Sequence, residues 1–119
     1  MLGSGGMART HMQAFTRMRA IKKLQLFSPT RENRERFGRE MAAKYNIEVK
    51  VCERPEDIYK GAHIVAALTD SAVAVTDGAL IEKGAHIMVV GGTGKPDEAS
   101  LRRVDVYLRF GDAPAPTGH

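Results

Sequence analysis

Six residues near the start of the chain, Gly3-Ser4-Gly5-Gly6-Met7-Ala8, have the types and spacing to hold a phosphate group. They fit the pattern G-x-G-x-x-G/A, in which the first glycine allows a sharp turn and the second lets the backbone approach a pyrophosphate. The small third residue, here Ala8, lets helix and strand pack closely. The first N–H groups of the helix that follows have no helical acceptor, and the helix dipole adds positive potential there. A second group, Phe27-Ser28-Pro29-Thr30-Arg31, contains no carboxylate before Glu32. Domains that prefer NAD place an Asp or Glu at the end of the second strand to bond the ribose hydroxyls, whereas hydroxyls and a guanidinium attract a 2′-phosphate. The reading is NADP, with NAD second, and with Ser28, Thr30 and Arg31 around the 2′-phosphate. The plainer alternative makes Thr30 a helix cap and Arg31 a solvated cation.

These residues need a scaffold, and the apolar spacing supplies one. From Met7 to Arg19, Ala8, Met12, Phe15 and Met18 recur at helical spacing. "KKLQLFS" (22–28) alternates as a short strand, and Arg31 to Asn46 forms a second helix with Phe37, Met41 and Tyr45 on one face. "IEVKVCE" (47–53) is a half-buried strand, and Pro55 opens a short helix that stops near Gly61. "AHIVAAL" (62–68) and "HIMVVGG" (86–92) read as central strands. Helical turns are expected over Thr76 to Lys83 and Pro96 to Arg103, and a closing strand over Val104 to Phe110. Alternation of this kind specifies an α/β domain of the Rossmann type, doubly wound, with a mainly parallel sheet and helices on both faces. The domain spans 1–110, and 111–119 is a Pro- and Gly-rich loop or linker. The first strand reads as truncated, because about five residues are expected before the glycine turn and only Met1 and Leu2 precede Gly3.

Composition narrows the function classes. At 119 residues, 43% hydrophobic and 27% charged, the chain has one domain's worth of core. It has no apolar run of the roughly 20 residues that span a bilayer, so no membrane role is expected. The lone Cys52 leaves no disulfide and no zinc cluster, which favours a cytoplasmic setting and inert packing for that thiol. His63 and His86 each begin a strand, too scattered for a metal site, and His11 belongs at the exposed edge of the first helix. The net charge of +4 suits either an anionic ligand or no particular partner. Nucleic acid is not expected as a partner: glutamates interrupt the basic stretch 31–39, and no aromatic residues project beside it for bases to stack on.

Taken together and in order, "LGSGGMARTHMQAF", "LQLFSPTRENRERF", "AHIVAALTDS", "GAHIMVVGG" and "DEASLRRVDVYL" resemble the nucleotide-binding domain of the ornithine cyclodeaminase and mu-crystallin family. The resemblance covers nearly the whole chain. It implies that Gly3, Ser4, Gly5, Gly6 and Met7 cradle the pyrophosphate, and that Ser28, Thr30 and Arg31 meet the adenosine ribose. Leu68, Thr69, Asp70 and Ser71 then pass near the nicotinamide side, with Val90 and Gly91 near the ring. It also implies a homodimer through a second domain, absent from this chain, that supplies most substrate-binding residues.

The resemblance implies hydride transfer to a cyclic imine or from an amino acid, with the fragment alone inactive. Two alternatives stay open: a cyclodeaminase that recycles its cofactor in place, and a non-catalytic NADPH-dependent binding protein. Thr93 stands where cyclodeaminases that make proline carry an Asp, and threonine cannot act as a carboxylate acid or base. Asp97, Lys95 and Asp112 are further polar candidates; Asp97 is expected to complement a helix dipole instead. No catalytic residue is assigned.

Overall fold

A computed structural model describes residues 1–68, 76–90 and 96–108. Its elements run α1 (Gly6–Met18), β1 (Lys23–Leu26), α2 (Arg31–Tyr45), β2 (Glu48–Val51), a 3-10 turn (Pro55–Ile58), β3 (Ile64–Ala67), β4 (His86–Val89) and α3 (Glu98–Arg103). Strands β1 and β2 pair in parallel, as do β3 and β4. Leu2 joins the two pairs: it bridges Phe27 on one side and Ala67 on the other, both in parallel. The order across the sheet is therefore β2, β1, Met1–Leu2, β3, β4. The fold is α/β and Rossmann-like, and the two residues before the glycine turn lie at its centre.

Alternation along the strands divides the core between the two faces. Met1, Leu24, Leu26, Ala66 and Leu68 face Ala8 and Met12 of α1 and Phe37 and Met41 of α2. Leu2, Val65 and Ala67 face the other way, against Cys52, Ile58, Tyr59 and Ile81. Both long helices cover the first face. Among the described residues the second is covered by the 3-10 turn and by turns around residues 78–84, not by an α-helix. Helix α2 ends where Asn46 takes a left-handed conformation (φ 52°), which asparagine tolerates at this position.

Three expectations differ from the structure. Thr76 to Lys83 forms turns, because tertiary partners take the backbone groups a helix would use: Asp97 accepts from Gly78 N–H, and Arg103 donates to the carbonyls of Gly78 and Ile81. Val104 to Leu108 forms no strand; Val106 and Leu108 are exposed, and the alternating pattern finds no neighbour to pair with among the described residues. Met18, read as part of the buried stripe of α1, is the last residue of the helix and is 79% exposed.

A glycine turn at the carboxyl edge of the sheet

The C-terminal ends of Met1–Leu2, β1 and β3 meet at one edge. Gly3 N–H donates to Phe27 O (2.9 Å), and Leu68 N–H donates to Leu2 O (2.8 Å). The backbone of Gly3 has φ 116°, and a Cβ there would stand 2.6 Å from Leu68 O. Only glycine fits this close approach. From it the chain turns directly into α1. In open α/β sheets, ligands bind outside the carboxyl ends of the strands where connections diverge, and the gap between β1 and β3 is such a place.

The start of α1 is bare. Gly5 is the N-cap without a side-chain cap, and the first turn holds no acidic residue. The first helical bond is Arg9 N–H to Gly5 O (3.2 Å), so the N–H groups of Gly6, Met7 and Ala8 have no acceptor within the helix. A Cβ on Gly5 or Gly6 would meet nothing within 4 Å. These two glycines are not demanded by packing; they leave room in front of a donor-rich helix end. Ala8, by contrast, is fully buried against the sheet. Donors, space and absent negative charge together fit a phosphate or pyrophosphate.

Two hydroxyls and two guanidinium groups flank this opening. Ser4 Oγ donates to Ser28 Oγ (3.0 Å), tying the glycine turn to the end of β1, and Ser28 is buried. Arg9 is held by Glu40 (2.8 Å) and lies over the Phe37 ring, from where Nη1 donates to Ser4 O (3.2 Å). The hydrogen bond from Arg9 holds the Glu40 carboxyl below the usual range. A trans peptide points its C=O and N–H in opposite directions, so fixing Ser4 O towards Arg9 turns Gly5 N–H the other way. Arg34, one turn into α2, donates from Nη1 to Ser28 O (3.2 Å) and lies over the Phe27 ring. Sequence reasoning missed both arginines. The available signal was helical spacing: Arg9 follows the glycine turn by one turn, and Arg34 lies one turn beyond Arg31.

The expected site residues fall into three groups. Gly3 to Met7, Ser28, Leu68 and Val90 come together at this edge, where Val90 N–H donates to Ala67 O (2.9 Å). Thr30 and Arg31 stand at the start of α2. Thr30 precedes α2 as its N-cap with no side-chain bond, and Arg31 pairs with Glu35 (3.0 Å) on the exposed side of the helix. Thr69, Asp70, Ser71, Gly91, Thr93, Lys95 and Asp112 lie outside the described residues.

Other polar candidates have structural partners. Burial would raise the Asp97 carboxyl, but hydrogen bonds from Ser100 Oγ, Gly78 N–H and Thr76 Oγ1 outweigh it and lower its pKa. Burial raises the Cys52 thiol, as expected of a packing residue. His11 sits half-buried with Nδ1 2.7 Å from Met7 O. No metal-binding cluster and no helix long and apolar enough to cross a membrane occur among the described residues.

Comparison with known proteins agrees with this architecture. The chain is 31% identical over 100 residues to the ketimine reductase mu-crystallins of Rattus norvegicus and Mus musculus, covering 84% of this chain and 30% of each relative. Its fold matches a Thermococcus litoralis Δ1-pyrroline-2-carboxylate reductase, solved with NADH and L-proline (TM-score 0.79, 29% identity, 86% of this chain and 33% of that one). It also matches a probable ornithine cyclodeaminase from Bordetella pertussis Tohama I (TM-score 0.70, 25% identity, 87% and 33%). The chain thus spans about a third of the length of these relatives. Residues 1–110 match the ornithine cyclodeaminase/mu-crystallin family, and the chain belongs to that family.

Proposed function

We propose that this chain is the dinucleotide-binding portion of an NADP-dependent reductase that acts on a cyclic imine, or on an amino acid in the reverse direction. The observation that carries the reading is the bare glycine start of α1, open in front of Gly5 and Gly6 at the sheet's dividing edge. Similarity to a ketimine reductase and to a pyrroline-2-carboxylate reductase solved with NADH supports the same class. A nicotinamide dinucleotide bound here supplies the hydride. The N–H groups of Gly6, Met7 and Ala8 bind the phosphates, and Gly3 keeps the turn close to Leu68. The Ser4–Ser28 pair and Arg9 fix the turn's orientation. Leu68 and Val90, at the ends of neighbouring strands, bound the side on which the reacting ring rests. Thr93 in place of the cyclodeaminase Asp favours reduction over ornithine cyclisation. In the whole protein, substrate contacts and a homodimer interface come from a second domain.

Calorimetric titration of the 119-residue chain with NADPH and NADH tests this. Both are expected to bind, NADPH more tightly. Gly5→Asp supplies the contrast: aspartate is a favoured N-cap, so the variant folds at least as well, yet its carboxylate repels a phosphate at the helix start. Loss of binding in a folded Gly5→Asp chain supports the site. Absence of binding by the folded parent chain sinks the dinucleotide reading.

A further inference from the structure

Two arginines on α2 stand near the end of β1, and their surroundings differ. Arg31 is exposed; Glu35 holds its guanidinium at 3.0 Å, and that hydrogen bond, with the fields of Glu35 and Glu53, raises its pKa. Carboxylates around a cation cancel much of its attraction for a dianion. Arg34 is half-buried and has no carboxylate partner among the described residues. It lies over the Phe27 ring, 5.5 Å from the centroid, and donates from Nη1 to Ser28 O at 3.2 Å.

Phe27 packs towards the second core, whereas α2 covers the first. The Arg34 guanidinium therefore crosses over the carboxyl edge of the sheet, beside the Ser4–Ser28 hydroxyl pair. The contact with Ser28 O uses one of its five N–H donors, and no other hydrogen bond from this guanidinium occurs among the described residues.

We propose that Arg34, and not Arg31, is the residue that decides between NADPH and NADH, by pairing with the 2′-phosphate at the ribose end of the cofactor. This rests on the dinucleotide reading above. Ser28 has the position for a second contact, as a hydroxyl next to the same guanidinium. Phe27 and the Ser28 carbonyl hold the fork in place before the ligand arrives, so little side-chain freedom is lost on binding. Arg31 then serves α2, as an exposed partner of Glu35.

The test compares Arg34→Met and Arg31→Met, which keep the side-chain stems, in titrations with NADPH, NADH and adenosine 2′,5′-bisphosphate. Charge-assisted hydrogen bonds of this kind are worth roughly 10- to 100-fold in affinity. Arg34→Met is expected to weaken NADPH and the bisphosphate by at least about tenfold, while NADH stays within about twofold. Arg31→Met is expected to leave all three within about twofold. The proposal is overturned if Arg31→Met removes the NADPH preference, or if Arg34→Met weakens NADPH and NADH alike. Equal binding of both cofactors by the unaltered chain overturns this assignment and leaves the dinucleotide site standing. Binding of neither by the folded chain overturns the site itself.

Discussion

Gly3 and Gly6 are three residues apart and are glycine for different reasons. At Gly3 the backbone is in a region that side chains rarely adopt, and a Cβ would collide with the Leu68 carbonyl at 2.6 Å. Gly3→Ala is expected to cost about 2–4 kcal/mol, from backbone strain and steric overlap combined. At Gly6 a Cβ meets nothing within 4 Å, and the residue is already helical. Gly6→Ala is expected to be neutral, or stabilising by up to about 1 kcal/mol through a less flexible unfolded chain. Urea unfolding of the two variants separates these expectations. Equal destabilisation of both would mean that Gly6 is also held by packing, and that the space before α1 is smaller than it looks. The same distinction shows how much of the site was legible at this scale. The pattern G-x-G-x-x-A located the turn and the close packing of Ala8, but not the approach of Gly3 to Leu68. It did not single out Arg9 and Arg34. Their roles depend on Glu40, Phe37 and Phe27, which the chain brings near only after folding.

At the scale of elements, local pattern predicted the parts whose partners share that pattern. Strands β1 to β4 and helices α1 and α2 follow directly from apolar spacing, to within a few residues at each end. The failures are segments governed by distant groups. Thr76 to Lys83 has helical composition, yet a latch from α3 takes over its backbone. Thr76 Oγ1 donates to Asp97 Oδ1 (2.8 Å), Gly78 N–H donates to Oδ2 (2.8 Å), and Arg103 donates to Ile81 O (2.7 Å). Nothing in the sequence of either segment announces the other. Thr30 is a related case: it precedes α2 as predicted, but its side chain makes no capping bond. The latch gives a pH dependence with a definite sign. The folded pKa of Asp97 is lowered, so the unfolded carboxyl binds a proton first as the solution is acidified. Its contribution is therefore complete above the ordinary carboxylate pKa of about 4 and is lost as pH falls through the folded value. Asp97→Asn is expected to destabilise the chain by about 1–3 kcal/mol at pH 7. It should also flatten the fall in stability between about pH 4 and 2. Denaturation midpoints at both ends of that range check it; an unchanged acid slope would show that Asp97 does not carry the latch.

For the whole molecule, the decisive feature is that, among the described residues, β1 and β3 are joined through Met1 and Leu2 alone. Below them lies a groove of about 430 Å³, lined by Met1, Lys23, Gln25, Ile64 and Ala66 among others. The bonds already made fix what this groove offers. Phe27 N–H donates to Met1 O and the Met1 amino group donates to Gln25 O, so on β1 the odd-numbered residues turn their backbone inward. Leu2 N–H donates to Ala66 O and Leu68 N–H to Leu2 O, so on β3 the even-numbered residues do so. By the regular spacing of parallel ladders, the N–H groups of Gln25 and Ala66 and the carbonyls of Lys23 and Ile64 then face the groove. Two residues added before Met1 would meet all four. The addition would also convert the Met1 amino group, whose pKa burial lowers from 8.0 to about 5, into an uncharged amide. The unfolded amine takes a proton below pH 8.0 and the folded one only below about 5, so the unextended chain loses stability as pH falls through that window. An N-acetylated Val-Ile extension is therefore expected to raise the urea midpoint, by more at pH 5.5 than at pH 8.5, and to protect the Gln25 and Ala66 amides from hydrogen exchange. An N-acetylated Pro-Pro extension also removes the amine charge but has no N–H to give the Lys23 and Ile64 carbonyls, so it should recover the pH effect without the full gain. If the two extensions raise stability equally, the buried charge alone limits the chain, and the groove does not act as a strand site.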